Sequence, residues 1–349
     1  MKSDGNRIVD EEIELAEVDL HAVWRGEELP RRADWLRRLD DSEVAECLAA
    51  ARRLADHASD HCSDRELESL MPNFTRRLES IQFDLENRSG ATLLQGFPLD
   101  RIEPKVVQRL FVATMSLIGT PVPQTADGAT LFHVRDEGFA KNDHRARGPS
   151  SRNRLTFHSD RSDVIAFLCV QDARRGGESE VVSSVALFEA IKRQRPDLLQ
   201  VLMQPFWYKR HNVDPGNEHA FYEQPVFSFC EGRFASSLLR VLIDRAYAEP
   251  QTPEMSEQQR EALDLVESLA SQPEMHYRFR QKPGDILLLN NFVTLHRRTE
   301  FEDDEEPQRR RHLLRVWLAM PNSRPLDPAY RASYGATAAG AVRGGMRTR

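Results

Sequence analysis

The sequence predicts an α+β chain built around a β-sandwich or jelly-roll core. Three observations carry this. Many segments of four to eight residues are continuously apolar or alternate with period two, as strands do. Helical periodicity is concentrated at the front of the chain and in later insertions. No G-x-G-x-x-G or Walker-type loop interrupts the pattern, so the common nucleotide-binding architectures have no support.

Taken in order, residues 1–30 are polar and are expected to be partly ordered at best. From about 41, Val44, Cys47, Leu48, Ala51, Leu54 and Ala55 recur at helical spacing, and Asp40 with Glu43 resembles a capping box. A second helical pattern covers about 64–81. Ala91 to Phe97 reads as a short buried strand ending at Pro98, and Pro104 opens a helix through Leu117 that Gly119 stops. Leu131 to Val134 and Leu155 to His158 read as short strands, and Ile165 to Val170 as a fully apolar one. Helices start at Ser184 and at Pro196. Glu231-Gly232 is flanked by Val226, Phe227, Phe229 and Phe234, which predicts a hairpin. Ser256 and Gln259 box the start of a helix over about 257–270. Met275, Tyr277 and Phe279 alternate. Pro283-Gly284-Asp285 then turns the chain into Ile286 to Leu289, and the last strand runs from Leu313 to Ala319. The Ala-, Gly- and Arg-rich tail from Gly335 is expected to be disordered.

The 349 residues are 40% hydrophobic, enough for one large core or a core plus a helical layer. The formal charge is −7, and Lys and Arg are spread among Asp and Glu, so nucleic acid is not the expected partner. Arg309-Arg310-Arg311-His312 follows the acidic run Glu302 to Glu306 and reads as a charged loop, with Arg311 a separate case. Four cysteines at 47, 62, 169 and 230 lack C-x-x-C spacing and fit free thiols in a reducing compartment. The first residues hold no apolar run and no stretch reaches membrane-spanning length. The expectation is a cytoplasmic protein without a membrane partner, and a homo-oligomer is left open.

Four motifs could carry chemistry. In Phe157-His158-Ser159-Asp160 an extended backbone points residues i and i+2 the same way, so His158 and Asp160 can reach one ion. A lone H-x-D is weak and is common on surfaces. His296 follows the buried strand 286–289 and a polar loop in which the sequence places it; alone, it would read as a structural histidine. Two imidazoles and one carboxylate make a facial triad that suits iron(II) and leaves open positions. In Arg311 to Leu318, alternation puts Arg311, Leu313, Arg315 and Trp317 on one face. Two arginines on one face of a core strand are costly unless each meets an anion. Their Cα atoms would be ~13 Å apart, which suits two anionic groups at two depths of one pocket, unless one arginine caps an acid such as Glu305. Gly176-Gly177-Glu178-Ser179 is a tight turn followed by a hydroxyl.

In this order and spacing the motifs resemble the taurine/2-oxoglutarate dioxygenase (TauD/TfdA-like) family, with its clavaminate synthase-like branches. That family shows H-x-D, a GG-[DE]-[TS] turn, a distal His, an Arg about fifteen residues later and another four further on. Here these are His158/Asp160, Gly176 to Ser179, His296, Arg311 and Arg315, within a resemblance spanning about 91–320. The resemblance implies a double-stranded β-helix over 91–334, preceded by a helical extension over 1–90. It implies iron(II) on His158, Asp160 and His296, with 2-oxoglutarate as cosubstrate. Arg311, helped by Ser179, would take the far carboxylate of 2-oxoglutarate, and Arg315 an acidic group of a small-molecule substrate. O2 would be consumed, giving succinate, CO2 and a hydroxylated product; desaturation or oxidative cyclisation stays open. Halogenases of this type lack the carboxylate ligand, so Asp160 argues against halogenation. Two other classes remain: a zinc hydrolase, which leaves the arginines without a purpose, and a non-catalytic jelly-roll binding protein. His57, His61 and Cys62 lack a fourth ligand and read as surface residues. His133, His144, His211 and His219 read as loop residues around the pocket. The segments 136–153 and 205–224, rich in Arg, His, Asp and Asn, favour a polar substrate, anionic or amino-acid-like.

Overall fold

The structure is a computed structural model and describes residues 14–56, 63–138, 148–210 and 219–346. Its centre is a seven-stranded sheet. Along it run Leu36–Arg38, Ala91–Gln95, Ile286–Asn290, Val164–Gln171, His312–Ala319 and Thr120–Val122, with Leu131–Val134 paired beside His312–Ala319. Neighbours are antiparallel except Leu36–Arg38 and Ala91–Gln95, which run parallel. A second sheet orders His276–Phe279, Ser179–Ser183 and Thr294–Arg298.

The two sheets face each other across one apolar layer. Leu93, Ile165, Leu287, Leu289 and Trp317 from the large sheet, with Trp35 from the turn before it, meet Val181 from the small one. Period-two alternation sends the other face of each strand outward. Leu94, Leu168, Leu288, Leu314 and Val316 bury under the helices Asp41–Asp56, Pro72–Asn87 and Pro104–Ser116. Val182 and Leu295 of the small sheet bury under Ser184–Gln194, Pro196–Leu202 and Glu257–Ala270. Each buried leucine of these layers contributes on the order of 2 kcal/mol by leaving water.

Local signals explain several boundaries. The Asp40 Oδ1 accepts from the Glu43 N–H at 2.9 Å, and Glu43 Oε2 accepts from the Asp40 N–H at 2.8 Å, a reciprocal box at the start of Asp41–Asp56. Ser256 and Gln259 make the same box for Glu257–Ala270. Glu231 and Gly232 both have positive φ, 50° and 76°, as the two-residue hairpin between Phe227–Cys230 and Arg233–Ser236 requires.

Four expectations differ from the structure. Leu155 to His158 is not a strand; only His158 pairs, in an isolated bridge with His296. His296 lies within the strand Thr294–Arg298 rather than in a loop. The segment 14–38 is packed, with Trp24 and Leu29 fully buried and Leu36–Arg38 inside the main sheet. The tail is ordered through Met346: Arg343 is buried and pairs with Asp163 at 2.7 Å, a contact between residues 180 apart that local composition does not reveal. A helix that the sequence did not announce, Arg240–Tyr247, spans only two turns and has no side-chain cap. No helix among the described residues is long and apolar enough to cross a membrane.

Candidate metal centre

His158 and His296 face each other across an antiparallel bridge. The His158 N–H donates to His296 O at 3.0 Å and the His296 N–H to His158 O at 2.8 Å. Directly opposed residues bring side chains together on one face, and here the imidazole centroids stand 4.4 Å apart. Asp160, two residues on, points the same way. The ligand atoms of His158, Asp160 and His296 all lie within 4.8 Å of one another, so the predicted triad converges.

Backbone anchors fix this triangle. Asn291 accepts from the Asp160 N–H at 2.9 Å while its amide donates to Ser162. Ser159, between the two ligands, exchanges hydrogen bonds with the backbone of Leu238 through both its N–H and its hydroxyl. The Nδ1 of His158 lies 2.9 Å from Thr156 O. A carbonyl only accepts, so Nδ1 carries the proton and Nε2 keeps its lone pair for an ion.

The electrostatics suit a cation held by neutral imidazole and ionised carboxylate. Burial, then the neighbouring His296, pushes His158 down to about 4, so it is neutral at ordinary pH. Burial alone would raise the Asp160 carboxyl, but Arg315, His296 and His158 overcome this and hold it well below the usual carboxylate range. Asp160 Oδ2, 3.4 Å from His296 Nε2, is buried with no hydrogen-bond partner among the described residues. Unpartnered buried donor and acceptor atoms carry a cost. That cost, with two nitrogens and one carboxylate as donors, fits a divalent ion of the non-haem iron type.

The triad opens into a cavity of about 640 Å3, within the range of small-molecule sites. Arg311, Leu313, Arg315 and Trp317 all line it, as the alternation of their strand predicts. Arg315 donates through Nε to Gln124 at 2.7 Å, and its Nη1 lies 3.7 Å from Asp160 Oδ1, beside the metal centre. Arg311 sits apart. Its guanidinium is buried, lies 5.2 Å from the centroid of Phe301 and has no carboxylate partner among the described residues; Asp303 takes only its backbone N–H. Burial lowers its affinity for a proton, to about 10. The expected alternative, a cap on Glu305, is not made.

The glycine turn explains how Arg311 fits. Gly176 and Gly177 have φ of 71° and 75°, and a Cβ on Gly177 would stand 3.3 Å from the Arg311 Nε and from Phe301. A Cβ on Gly176 would meet Glu300 O at 2.2 Å. Positive φ and close approach thus both demand glycine. Ser179 lines the cavity next to Gln281, its hydroxyl 3.4 Å from Gln281 Oε1. Gln281, Gln124 and Asn291 belong to no motif, and alternation alone did not single them out. Of the other histidines, His133 stacks on His312 with nitrogens 2.8 Å apart, and His219 is exposed; neither lines the cavity. His57, His61, Cys62, His144 and His211 lie outside the described residues, as do parts of the two polar segments.

Comparison with known proteins agrees with this geometry. The profile of the taurine catabolism dioxygenase TauD, TfdA family matches residues 64–317. FR-33289 synthase of Streptomyces rubellomurinus (strain ATCC 31215) is 28% identical over 311 residues, covering 87% of this chain and 90% of that protein. Two solved structures share the fold. Asparagine oxygenase, in complex with Fe(II), 2S,3S-3-hydroxyasparagine and succinate, gives a TM-score of 0.63 at 18% identity, over 82% of this chain and 93% of that one. The non-haem iron oxygenase OrfP, in complex with Fe and alpha-ketoglutaric acid, gives 0.64 at 15% identity, over 88% and 99%. The chain belongs to the taurine catabolism dioxygenase TauD, TfdA family.

Proposed function

We propose that this protein is an iron(II)- and 2-oxoglutarate-dependent dioxygenase on a double-stranded β-helix, hydroxylating an unactivated C–H of an anionic or amino-acid-like small molecule. The observation that carries the reading is the pairing of a converged two-His, one-Asp triad with a buried, acid-free arginine in one cavity. A hydrolase needs the first but has no use for the second. The fold likeness to oxygenases whose structures hold a hydroxylated asparagine or 2-oxoglutarate points the same way.

His158, Asp160 and His296 would hold iron(II), which with 2-oxoglutarate and O2 supplies the oxidising power, yielding succinate, CO2 and the oxidised product. The chain's own part is binding, orientation and exclusion of water. Arg311 presents a rigid fork to the far carboxylate of 2-oxoglutarate, with Ser179 and Gln281 beside it. Leu313 and Phe167 line the same cavity as apolar surface. Arg315 holds the Asp160 carboxylate ionised and stands where an acidic substrate group would approach the reacting carbon.

The test is succinate release from 2-oxoglutarate by the iron(II)-loaded protein over amino acids, betaines, sulfonates and aryloxy acids. A substrate should raise the rate and gain one oxygen, and His158→Ala should abolish the signal. No iron- and 2-oxoglutarate-dependent succinate, with or without substrate, would refute the reading. Chlorinated product under saturating chloride would contradict hydroxylation.

A further inference from the structure

Seven arginines line the cavity against two acids, Asp160 and Asp244. Most of these cations are already committed. Arg297 is held by Glu180 and Glu267. Arg240 lies 2.7 Å from Asp244 and 2.9 Å from Asp264. Arg298 donates to the carbonyls of Ser151, Arg152, Asn153 and Thr299. Arg315 holds Gln124 and stands by Asp160, and the proposed function gives Arg311 to the cosubstrate. Two remain. Arg154 is exposed, and its nearest acid, at 3.8 Å, is the Glu180 that already holds Arg297. Arg245 is exposed and has no acidic partner among the described residues, because its neighbour Asp244 is taken by Arg240.

Arg245 belongs to a built wall, and Arg154 lines the same cavity from the irregular segment that leads to His158. In the helix Arg240–Tyr247 and its end, Val241, Asp244, Arg245 and Ala248 follow helical spacing and all line the cavity, while Leu242, Ile243 and Ala246 bury on the other side. The segment entering that helix is clamped to the metal motif by the two hydrogen bonds between Ser159 and Leu238. Arg154 lies four residues before His158. The wall therefore keeps a set distance from the triad, with Leu239, Val241 and Leu155 as apolar surface lining the same cavity.

The geometry points to a second anion seat at the solvent side of the cavity, formed by Arg245 and Arg154, that takes a phosphate-class group at the far end of the substrate. A dianionic tetrahedral group offers oxygens to both guanidinium forks. This deepens the oxygenase reading, since it names the substrate's class as a phosphate or phosphonate ester or acid whose oxidised carbon sits away from the anion.

The experiment titrates inorganic phosphate into the iron(II)- and 2-oxoglutarate-loaded protein without oxygen, at constant ionic strength set by chloride. Saturating 2-oxoglutarate blocks the Arg311 seat. Phosphate should bind saturably. Arg245→Glu should weaken it tenfold or more, Arg154→Glu several-fold, and Arg245→Lys should keep most of it, with 2-oxoglutarate affinity unchanged within twofold in every variant. Non-saturable binding, or binding equal in wild type and Arg245→Glu, overturns the seat. The visible absorption of bound 2-oxoglutarate is read in the same samples. Its absence in wild type would count against the oxygenase reading, whereas the phosphate titration decides the seat with or without it.

Discussion

Two regions of this molecule bury arginine, and they do so in opposite ways. In the seam between the chain ends, Arg324 meets Glu86 at 2.9 Å and Asp19 at 3.2 Å, Arg343 meets Asp163 at 2.7 Å, and Arg233 joins Asp19 and Glu86. Backbone carbonyls take further donors: Phe234 O for Arg324, and Ala338 and Arg324 O for Arg343. Three cations face three acids, and the seam is neutral. In the cavity, Arg311 is buried too, yet its guanidinium has an aromatic ring and a glycine turn for neighbours and no carboxylate partner among the described residues; Asp303 takes only its backbone N–H. Removing a buried charge from water costs several kcal/mol unless an opposite charge compensates. The seam compensates within the chain and ties 14–38 to the tail. Arg311, unlike its cavity neighbour Arg297 on Glu180 and Glu267, leaves compensation to a ligand. Burial of arginine is thus no guide to function until its partner is known.

Substitutions test this contrast. The largest effect belongs to the metal centre: His158→Ala should lower turnover by more than about 1,000-fold, with the thermal midpoint little changed, since its backbone bridge to His296 survives. Activity within tenfold of wild type would detach the cavity from the chemistry. Next is the seam. Arg343→Met strands the Asp163 carboxylate in the interior and should destabilise the fold by about 3–5 kcal/mol. Denaturant unfolding measures this, and a loss below 1 kcal/mol would mean the tail contact matters little. Arg311→Gln should invert that pattern: the 2-oxoglutarate KM rises about 10- to 100-fold, as for loss of a charge-assisted pair, while the melting temperature holds or rises because an uncompensated buried charge is gone.

The smallest effect is on acid sensitivity. Arginines in both regions stay charged across ordinary pH, so a titration between pH 6.5 and 4 should come from elsewhere. His312 is a candidate: burial, then its partner His133, lowers it to about 4. The unfolded chain binds this proton first, near 6.5. Stability is therefore fully present above about 6.5 and declines as pH falls towards 4. His312→Asn should flatten that slope in unfolding measured across the range; an unchanged slope would assign it to other groups.

Much of the site was legible because strand alternation converts sequence spacing into direction. Arg311, Leu313, Arg315 and Trp317 share the cavity face as read, and His158 with Asp160 reach one point. What was missed depends on pairing across the chain. His296 is held by His158 over 138 positions, and it lies in a separate strand, Thr294–Arg298, that a short turn divides from the apolar run before it. The tail looked disordered because Arg343 finds Asp163 only in the folded state. The wall carrying Arg245 was unread because an eight-residue helix without a side-chain cap leaves little periodic signal. Gln124, Gln281 and Asn291 act through side-chain hydrogen bonds to distant partners that no spacing encodes.

The most direct test is an oxygen-free titration of 2-oxoglutarate into the iron(II)-loaded protein, followed by visible charge-transfer absorption. Wild type should give a saturable band, Arg311→Gln a curve shifted at least tenfold to higher concentration, and His158→Ala no band. A missing band in wild type, or an Arg311→Gln curve that overlays it, would contradict the claim that the acid-free guanidinium waits for the cosubstrate beside a metal.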